Sequence, residues 1–195
     1  MLRNRLILAS ASPQRKMLLE GLGLTFDVIV PHGVDEQAHP ELTPGKRALG
    51  LARLKAEDVA ARSGGSWVIG CDTLVVSPDG QLFEKPADEK DARRMIAAQS
   101  GRTSVVHSGL CLLSPDGKRA EGVSSSQVTF MRMSAADIDW WIATGQWKDR
   151  SGSFQIDGLG QLMIEEIKGD WTSIVGFPVF LFGKLLRELK APFLV

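Results

Sequence analysis

Asp72 interrupts the most apolar stretch of the chain, Trp67-Val68-Ile69-Gly70-Cys71-Asp72-Thr73-Leu74-Val75-Val76. A carboxylate in a buried strand is costly unless it is paired, bound to a metal or placed at a site. Gly70 beside it permits close approach of a ligand or another backbone. A structural hydrogen-bonding role is the alternative. A second signal is Ser10-Ala11-Ser12-Pro13-Gln14-Arg15-Lys16, where small residues turn an apolar run into a proline-led segment. A strand feeding a helix N-terminus collects backbone N–H groups and the positive dipole end at one place, a natural anion site. Arg15 and Lys16 oppose that dipole by roughly 0.3–1 kcal/mol each when exposed, and a bound anion would account for both. An ordinary strand–helix junction with solvated basic side chains would read the same. The polar loop His32-Gly33-Val34-Asp35-Glu36-Gln37-Ala38-His39-Pro40 offers carboxylates, hard ligands suited to Mg²⁺; a solvated acidic loop is its plain alternative. With Lys55 and Lys85, this inventory suits hydrolysis of a phosphoanhydride. That reaction needs cations against developing charge, a carboxylate-held metal and a carboxylate to position or deprotonate water.

The elements that must position these groups follow from the same residues. Leu6 to Ala9 reads as a buried strand, Ser12 as the N-cap of the helix opened by Pro13, and Gly21 and Gly23 as its stop. Phe26 to Val30 is expected as a second strand. Thr43 and Pro44 open a long helix through Arg62, with Ala48, Leu51, Ala52 and Val59 on its apolar face. Lys55 falls on that face, four after Leu51 and four before Val59, so it either snorkels to water or reaches into a site. After the strand at 67–76, Gln81 to Pro86 is a hairpin partner and Asp88 to Gln99 a helix. Thr103 to Leu113 and a return through about Met133 form a second hairpin, turned by Ser114-Pro115-Asp116-Gly117. Ser134, with Asp137 three later, caps the next helix. Trp141 with Ile138 and Ile142 supplies its buried face, so core or dimer contact is expected of the tryptophans rather than base stacking. A glycine-punctuated loop over 145–160, a strand over Leu162 to Ile167, and a last helix over Val179 to Leu189 begun by Pro178 complete the chain.

The 195 residues suffice for one sizeable core or for two lobes sharing a cleft. Lys and Arg total 23, as do Asp and Glu, so the formal charge is zero, against a dominant nucleic-acid footprint. Two cysteines, Cys71 and Cys111, cannot make a disulfide framework and read as buried thiols in a reducing compartment. The apolar run from Leu6 to Ala9 is too short for a signal peptide, and no long apolar segment occurs, so a cytoplasmic protein without a membrane partner is expected. Neither G-x-x-x-x-G-K-[ST], G-x-G-x-x-G nor G-x-S-x-G is present, and Cys and His form no metal cluster.

Six stretches in order, Leu8-Ala9-Ser10-Ala11-Ser12-Pro13-Gln14-Arg15, Gly70-Cys71-Asp72-Thr73, Glu84-Lys85-Pro86, Ser100-Gly101-Arg102, Ser151-Gly152-Ser153-Phe154 through Gly158-Leu159-Gly160, and Val175-Gly176-Phe177-Pro178, resemble the Maf family of nucleoside triphosphate pyrophosphatases. The resemblance covers nearly the whole chain. It implies one Maf-like domain over residues 1–195, of the α/β class, with a mixed, bent sheet flanked by helices and two lobes around a central cleft, as in inosine triphosphatase-like folds. A homodimer is a frequent assembly of the family. The implied reaction cleaves between the α- and β-phosphates, giving a nucleoside monophosphate and pyrophosphate with Mg²⁺ or Mn²⁺. By position, Asp72 would accept the proton of the attacking water, with Lys85 and Glu36 also catalytic. Glu36 and Asp72 would hold the metal, and Ser10, Ser12, Arg15 and Lys55 would surround the triphosphate. The family is associated with removal of noncanonical nucleotides and, in some bacteria, with cell-division arrest.

Gln14, Thr73 and Asp157 fall at positions that vary with substrate. The dTTP/UTP type typically carries Arg, Thr and Gln there, and only Thr73 agrees. The 7-methyl-GTP type tends to have a carboxylate at the place of Asp157 but lacks the Asp72-Thr73 pair. A carboxylate only accepts hydrogen bonds where an amide both donates and accepts, which leaves both substrate types open. A nucleotide-binding regulator of cell division without catalysis, and a nucleic-acid-binding module using the tryptophans, are the rival readings.

Overall fold

The computed structural model describes residues 5–193. In chain order the elements are β1 (Leu6–Ala9), α1 (Pro13–Gly21), β2 (Asp27–Val28), α2 (Pro44–Ala60), β3 (Trp67–Val76), β4 (Leu82–Phe83), α3 (Glu89–Gln99), β5 (Thr103–Leu113), β6 (Arg119–Phe130), α4 (Ala135–Ala143), β7 (Ile164–Lys168), α5 (Trp171–Val175) and α6 (Val179–Glu188). Short 3₁₀ turns at Ser151–Ser153 and Leu159–Met163 precede β7. The strands form one seven-stranded sheet in the order β2-β1-β3-β5-β6-β7, with β4 added to β3. It is mixed: β1 pairs in parallel with β2 and β3, whereas β3–β4 and β6–β7 are antiparallel. The α/β class with a mixed sheet and flanking helices, expected from the sequence, is therefore what the chain adopts.

Contacts divide the chain into two compact units. The first comprises residues through Asp72, Ser108–Ser124 and the chain from Gly176 onward; the second comprises Thr73–His107 and Ser125–Val175. In the first unit, Leu6, Leu8, Ile69, Leu110 and Leu112 from the strands pack with Phe177, Phe182, Leu185 and Leu186 around α6. A second cluster there joins Ile7, Ala9 and Val68 to Ala52, Ala56 and Val59 of α2. In the second unit, Phe130, Trp141, Phe154, Ile96 and Met163 form one core. Trp141 is fully buried and its indole N–H donates to the Ser153 carbonyl at 2.8 Å, as befits a core tryptophan with a polar tip.

Two glycines set the distance between α2 and the strands beneath it. A Cβ on Gly70 of β3 would lie 2.0 Å from the Ala52 carbonyl oxygen, and one on Gly109 of β5 would lie 2.4 Å from that of Ala48. Only residues without a Cβ let the helix backbone come this close. Gly70, expected from the sequence to admit a ligand or another backbone, thus admits a backbone.

Several boundaries differ from expectation. The strand expected over Phe26 to Val30 pairs only at Asp27–Val28, opposite Ile7 and Leu8 of β1. Gln81 to Pro86 likewise contracts to β4. Thr43 stands at the N-cap of α2 but its side chain makes no capping hydrogen bond. Ser12 and Ser134 do cap their helices, the latter in a reciprocal box with Asp137.

Candidate active site

The turn between β1 and α1 is folded around Ser10. Its Oγ accepts from the Ser12 amide at 3.2 Å and from Arg15 Nη1 at 3.1 Å. Ser12 Oγ accepts the Arg15 amide at 3.4 Å and donates to Gln14 Oε1 at 3.4 Å. Arg15 Nε donates to the Gly176 carbonyl at 2.9 Å, so the first α1 turn is tied to the segment that leads into α6. The same carbonyl accepts from Cys71 Sγ at 3.0 Å. Ser10, Ser12, Gln14 and Arg15 are thus brought into one network at the positive end of α1, the arrangement an anion site requires.

β3 carries the next group into place. Its parallel register with β1 sets Ala9 opposite Gly70, so Asp72 emerges beyond the end of β1. Asp72 is 6% exposed. Lys55, on the buried stripe of α2, donates from Nζ to Asp72 Oδ1 at 2.6 Å. Glu36 completes the cluster with Oε1 at 2.9 Å from the same Nζ. Lys55 therefore does not snorkel to water: it is buried and its ammonium is held by Asp72 and Glu36. Asp72 Oδ2 is buried without a hydrogen-bond partner among the described residues. Burial pushes the Asp72 carboxyl above its ordinary value, against the pull of Lys55 and Arg15. A buried carboxylate with one oxygen bound and the other unmet has the form of a general base.

The remaining expected residues belong to the second unit. Thr73 follows Asp72 directly and is half-buried. Lys85 is exposed, in a bend whose Glu84 carbonyl accepts the Gly152 amide at 3.1 Å. Asp157 is half-buried between Phe154 and the turn at Leu159–Met163. The glycine motifs there act as struts: Gln99 Nε2 donates to the Gly152 carbonyl at 2.8 Å, and Ser100 Oγ accepts the Met133 amide at 2.7 Å.

The carboxylate oxygens of the first unit are of the type a divalent cation takes. Glu36 and Asp72 flank one ammonium and one carboxylate oxygen is orphaned. Among the described residues no group of three or more His, Cys, Asp or Glu converges on a metal-sized space. A pair of carboxylates is nonetheless the protein share typical of Mg²⁺, which takes its other ligands from water and substrate phosphates.

Sequence reasoning missed Arg47, which is buried and donates to the Glu36 and Ala38 carbonyls at 3.0 and 3.2 Å. The signal was present: Arg47 stands four residues before Leu51, on the stripe that singled out Lys55. No helix among the described residues is long and apolar enough to cross a membrane.

Residues 5–189 match the family described as Maf-like protein. The chain is 40% identical over 183 residues to the dTTP/UTP pyrophosphatase of Deinococcus radiodurans, covering 94% of this chain and 92% of that one. It is 43% identical over 194 residues to the nucleoside triphosphate pyrophosphatase of Salinispora tropica, covering 96% and 85%. A HAM1 protein from Coxiella burnetii has a similar fold, with a TM-score of 0.50 at 14% identity over 98% of this chain and 100% of that one.

Proposed function

This chain belongs to the Maf-like protein family, and from that premise we propose that it is a nucleoside triphosphate pyrophosphatase. It hydrolyses the α–β phosphoanhydride and releases a nucleoside monophosphate and pyrophosphate. The observation that carries this reading is the buried Asp72, held through Oδ1 by Lys55 with Oδ2 left to take a proton from water. The positive end of α1, with Ser10, Ser12 and Arg15, faces the phosphates, and Lys55 offsets charge that develops on them. Glu36 and Asp72 are the residues that would hold Mg²⁺ or Mn²⁺, which supplies neutralisation of the phosphate charge when bound. A regulator that only senses nucleotide is not favoured, because such a role does not call for a buried base with an unmet oxygen.

The names of the relatives support dTTP and UTP as substrates, as does Thr73. Gln14 and Asp157 are the positions where this chain sets its own preference, Gln14 through its bond to the capping Ser12. The same reading makes the protein a cytoplasmic house-cleaning enzyme whose two buried thiols stay reduced, assembled as a homodimer. The test is product identification after incubation with Mg²⁺ or Mn²⁺ and a panel of ordinary and modified nucleoside triphosphates. Pyrophosphate and monophosphate are expected; orthophosphate and diphosphate overturn the cleavage site.

A further inference from the structure

One face of α2 grips the acidic loop at three places. Near the helix start, the Arg47 guanidinium donates from Nη2 to the Glu36 carbonyl at 3.0 Å and to Gln37 Oε1 at 3.4 Å. Its Nε donates to the Ala38 carbonyl at 3.2 Å. One turn on, Gly50 makes room for the His39 ring, since a Cβ there would stand 3.0 Å from His39 Cδ2. Two turns after Arg47, Lys55 takes the Glu36 carboxylate. Residues 47, 51 and 55 follow the four-residue spacing of a single helix stripe, so clamp and receiver come from one rigid element.

The loop forms neither helix nor strand. Its bonds include a turn from the Ala38 amide to the Asp35 carbonyl, an aspartate turn from the Gln37 amide to Asp35 Oδ1 and, at its start, the His32 amide donating to Asp58 Oδ2 of α2. The Glu36 side chain is 61% exposed, so packing does not fix it. Its carboxylate meets Lys55 only if the main chain at Glu36 is already in place. Arg47 acts on that main chain: its acceptors include the Glu36 and Ala38 carbonyl oxygens, and it is 8% exposed. A buried guanidinium is tolerated when its fork of donors is satisfied, and here the acidic loop supplies the acceptors.

We propose that Arg47 is a positioning residue for the nucleotide-hydrolysing site: by fixing the backbone of Glu36 to Ala38 it presents the Glu36 carboxylate beside Lys55 and Asp72. The proposal rests on the pyrophosphatase reading of that site. Arg47 touches no reacting atom, and its effect passes through Glu36.

A double-mutant cycle in the full chain separates this role from general support of the fold. Arg47→Met is expected to lower kcat/KM on the order of 10–100-fold in the wild-type background, the range seen when an outer residue orienting a ligand is lost. In a Glu36→Gln background the same change is expected to cost about twofold or less, because the group it positions is already disabled. Equal losses in both backgrounds overturn the proposal. Arg47→Lys keeps the charge without the planar fork, so it falls between wild type and Arg47→Met, and it carries the test if Arg47→Met does not fold. Amide hydrogen exchange gives a readout independent of turnover. The Gln37 and Ala38 amides are expected to exchange faster in either Arg47 variant while those of β3 keep their protection. Unchanged exchange at Gln37 and Ala38 overturns the proposed hold on the loop. A wild-type chain that releases no pyrophosphate instead defeats the pyrophosphatase reading, and the exchange result still decides whether Arg47 holds the loop.

Discussion

Lys55 Nζ lies 2.6 Å from Asp72 Oδ1, and the second oxygen of that carboxylate is buried with no partner among the described residues. The two oxygens therefore stand in different surroundings. One is bonded to an ammonium that favours the charged carboxylate and fixes its rotation; the other meets no donor among the described residues. Lys55 comes from α2 and Asp72 from β3, so the pair exists only because α2 lies directly on the sheet.

Asp72→Asn retains the shape of the side chain and removes the base. Activity is expected to fall on the order of 10²–10⁴-fold, the usual contribution of a positioned general base. Pyrophosphate release measures the loss, and circular dichroism confirms the fold. A folded Asn variant with full activity would place the base elsewhere.

Gly70→Ala tests the close approach of α2 to β3. The added Cβ would meet the Ala52 carbonyl oxygen at 2.0 Å, an overlap with backbone that no rotamer change relieves. The helix must move away, at about 1–3 kcal/mol or more. For a chain of this size that lowers the melting temperature by roughly 2–4 °C per kcal/mol. Because Lys55 rides on the displaced helix, kcat/KM is expected to fall more than the loss of folded protein explains. Calorimetry beside steady-state kinetics checks both.

Much of the site was legible because burial and charge conflict visibly in the sequence. Asp72 inside an apolar run and Lys55 on an apolar stripe are such conflicts, and the structure resolves each with the other. The bounds of β3 and β5 were legible too, since both are long and apolar with clear turns at their ends. The path of the acidic loop was not, because Arg47, Gly50 and Lys55 impose it from another element. β2 and β4 were over-long on paper: each pairs over only two residues of its neighbour. Arg15 was expected to await an anion. In the structure it already bonds Ser10 and Gly176, a contact across 161 residues that no local pattern announces.

Neither thiol is a nucleophile. Cys71 and Cys111 are free and fully buried; burial pushes the Cys71 thiol up, and burial raises that of Cys111 to about 12. A thiolate is the reactive form, so both are expected to resist a thiol-disulfide reagent at pH 8 in the native protein. Titration should find no fast-reacting thiol before denaturant is added and both cysteines afterwards. Rapid labelling of either thiol in the folded enzyme would contradict the packing.

The pH dependence of kcat/KM follows from the sign of the Asp72 shift. A base works ionised, so activity is lost as pH falls through its pKa. Burial raises that pKa above the ordinary 3.8, which moves the acid limb of the profile upward. Lys55 opposes the shift by favouring the charged carboxylate. Replacing it by Met in Lys55→Met removes a cation that contacts Asp72 and leaves the burial, so the limb is expected to move further toward neutral pH. Removing one partner of a buried pair costs on the order of 3–5 kcal/mol if the other stays charged. Protonation of Asp72 escapes part of that cost, which is the same displacement seen through stability. The amplitude of the profile drops as well, because Lys55 also serves the phosphates, but amplitude and midpoint are fitted separately. Profiles of wild type and Lys55→Met over pH 4–9 on one substrate read both quantities. A limb that stays in place while the amplitude falls would mean that Lys55 serves the phosphates alone and that the group titrating in the profile is not Asp72.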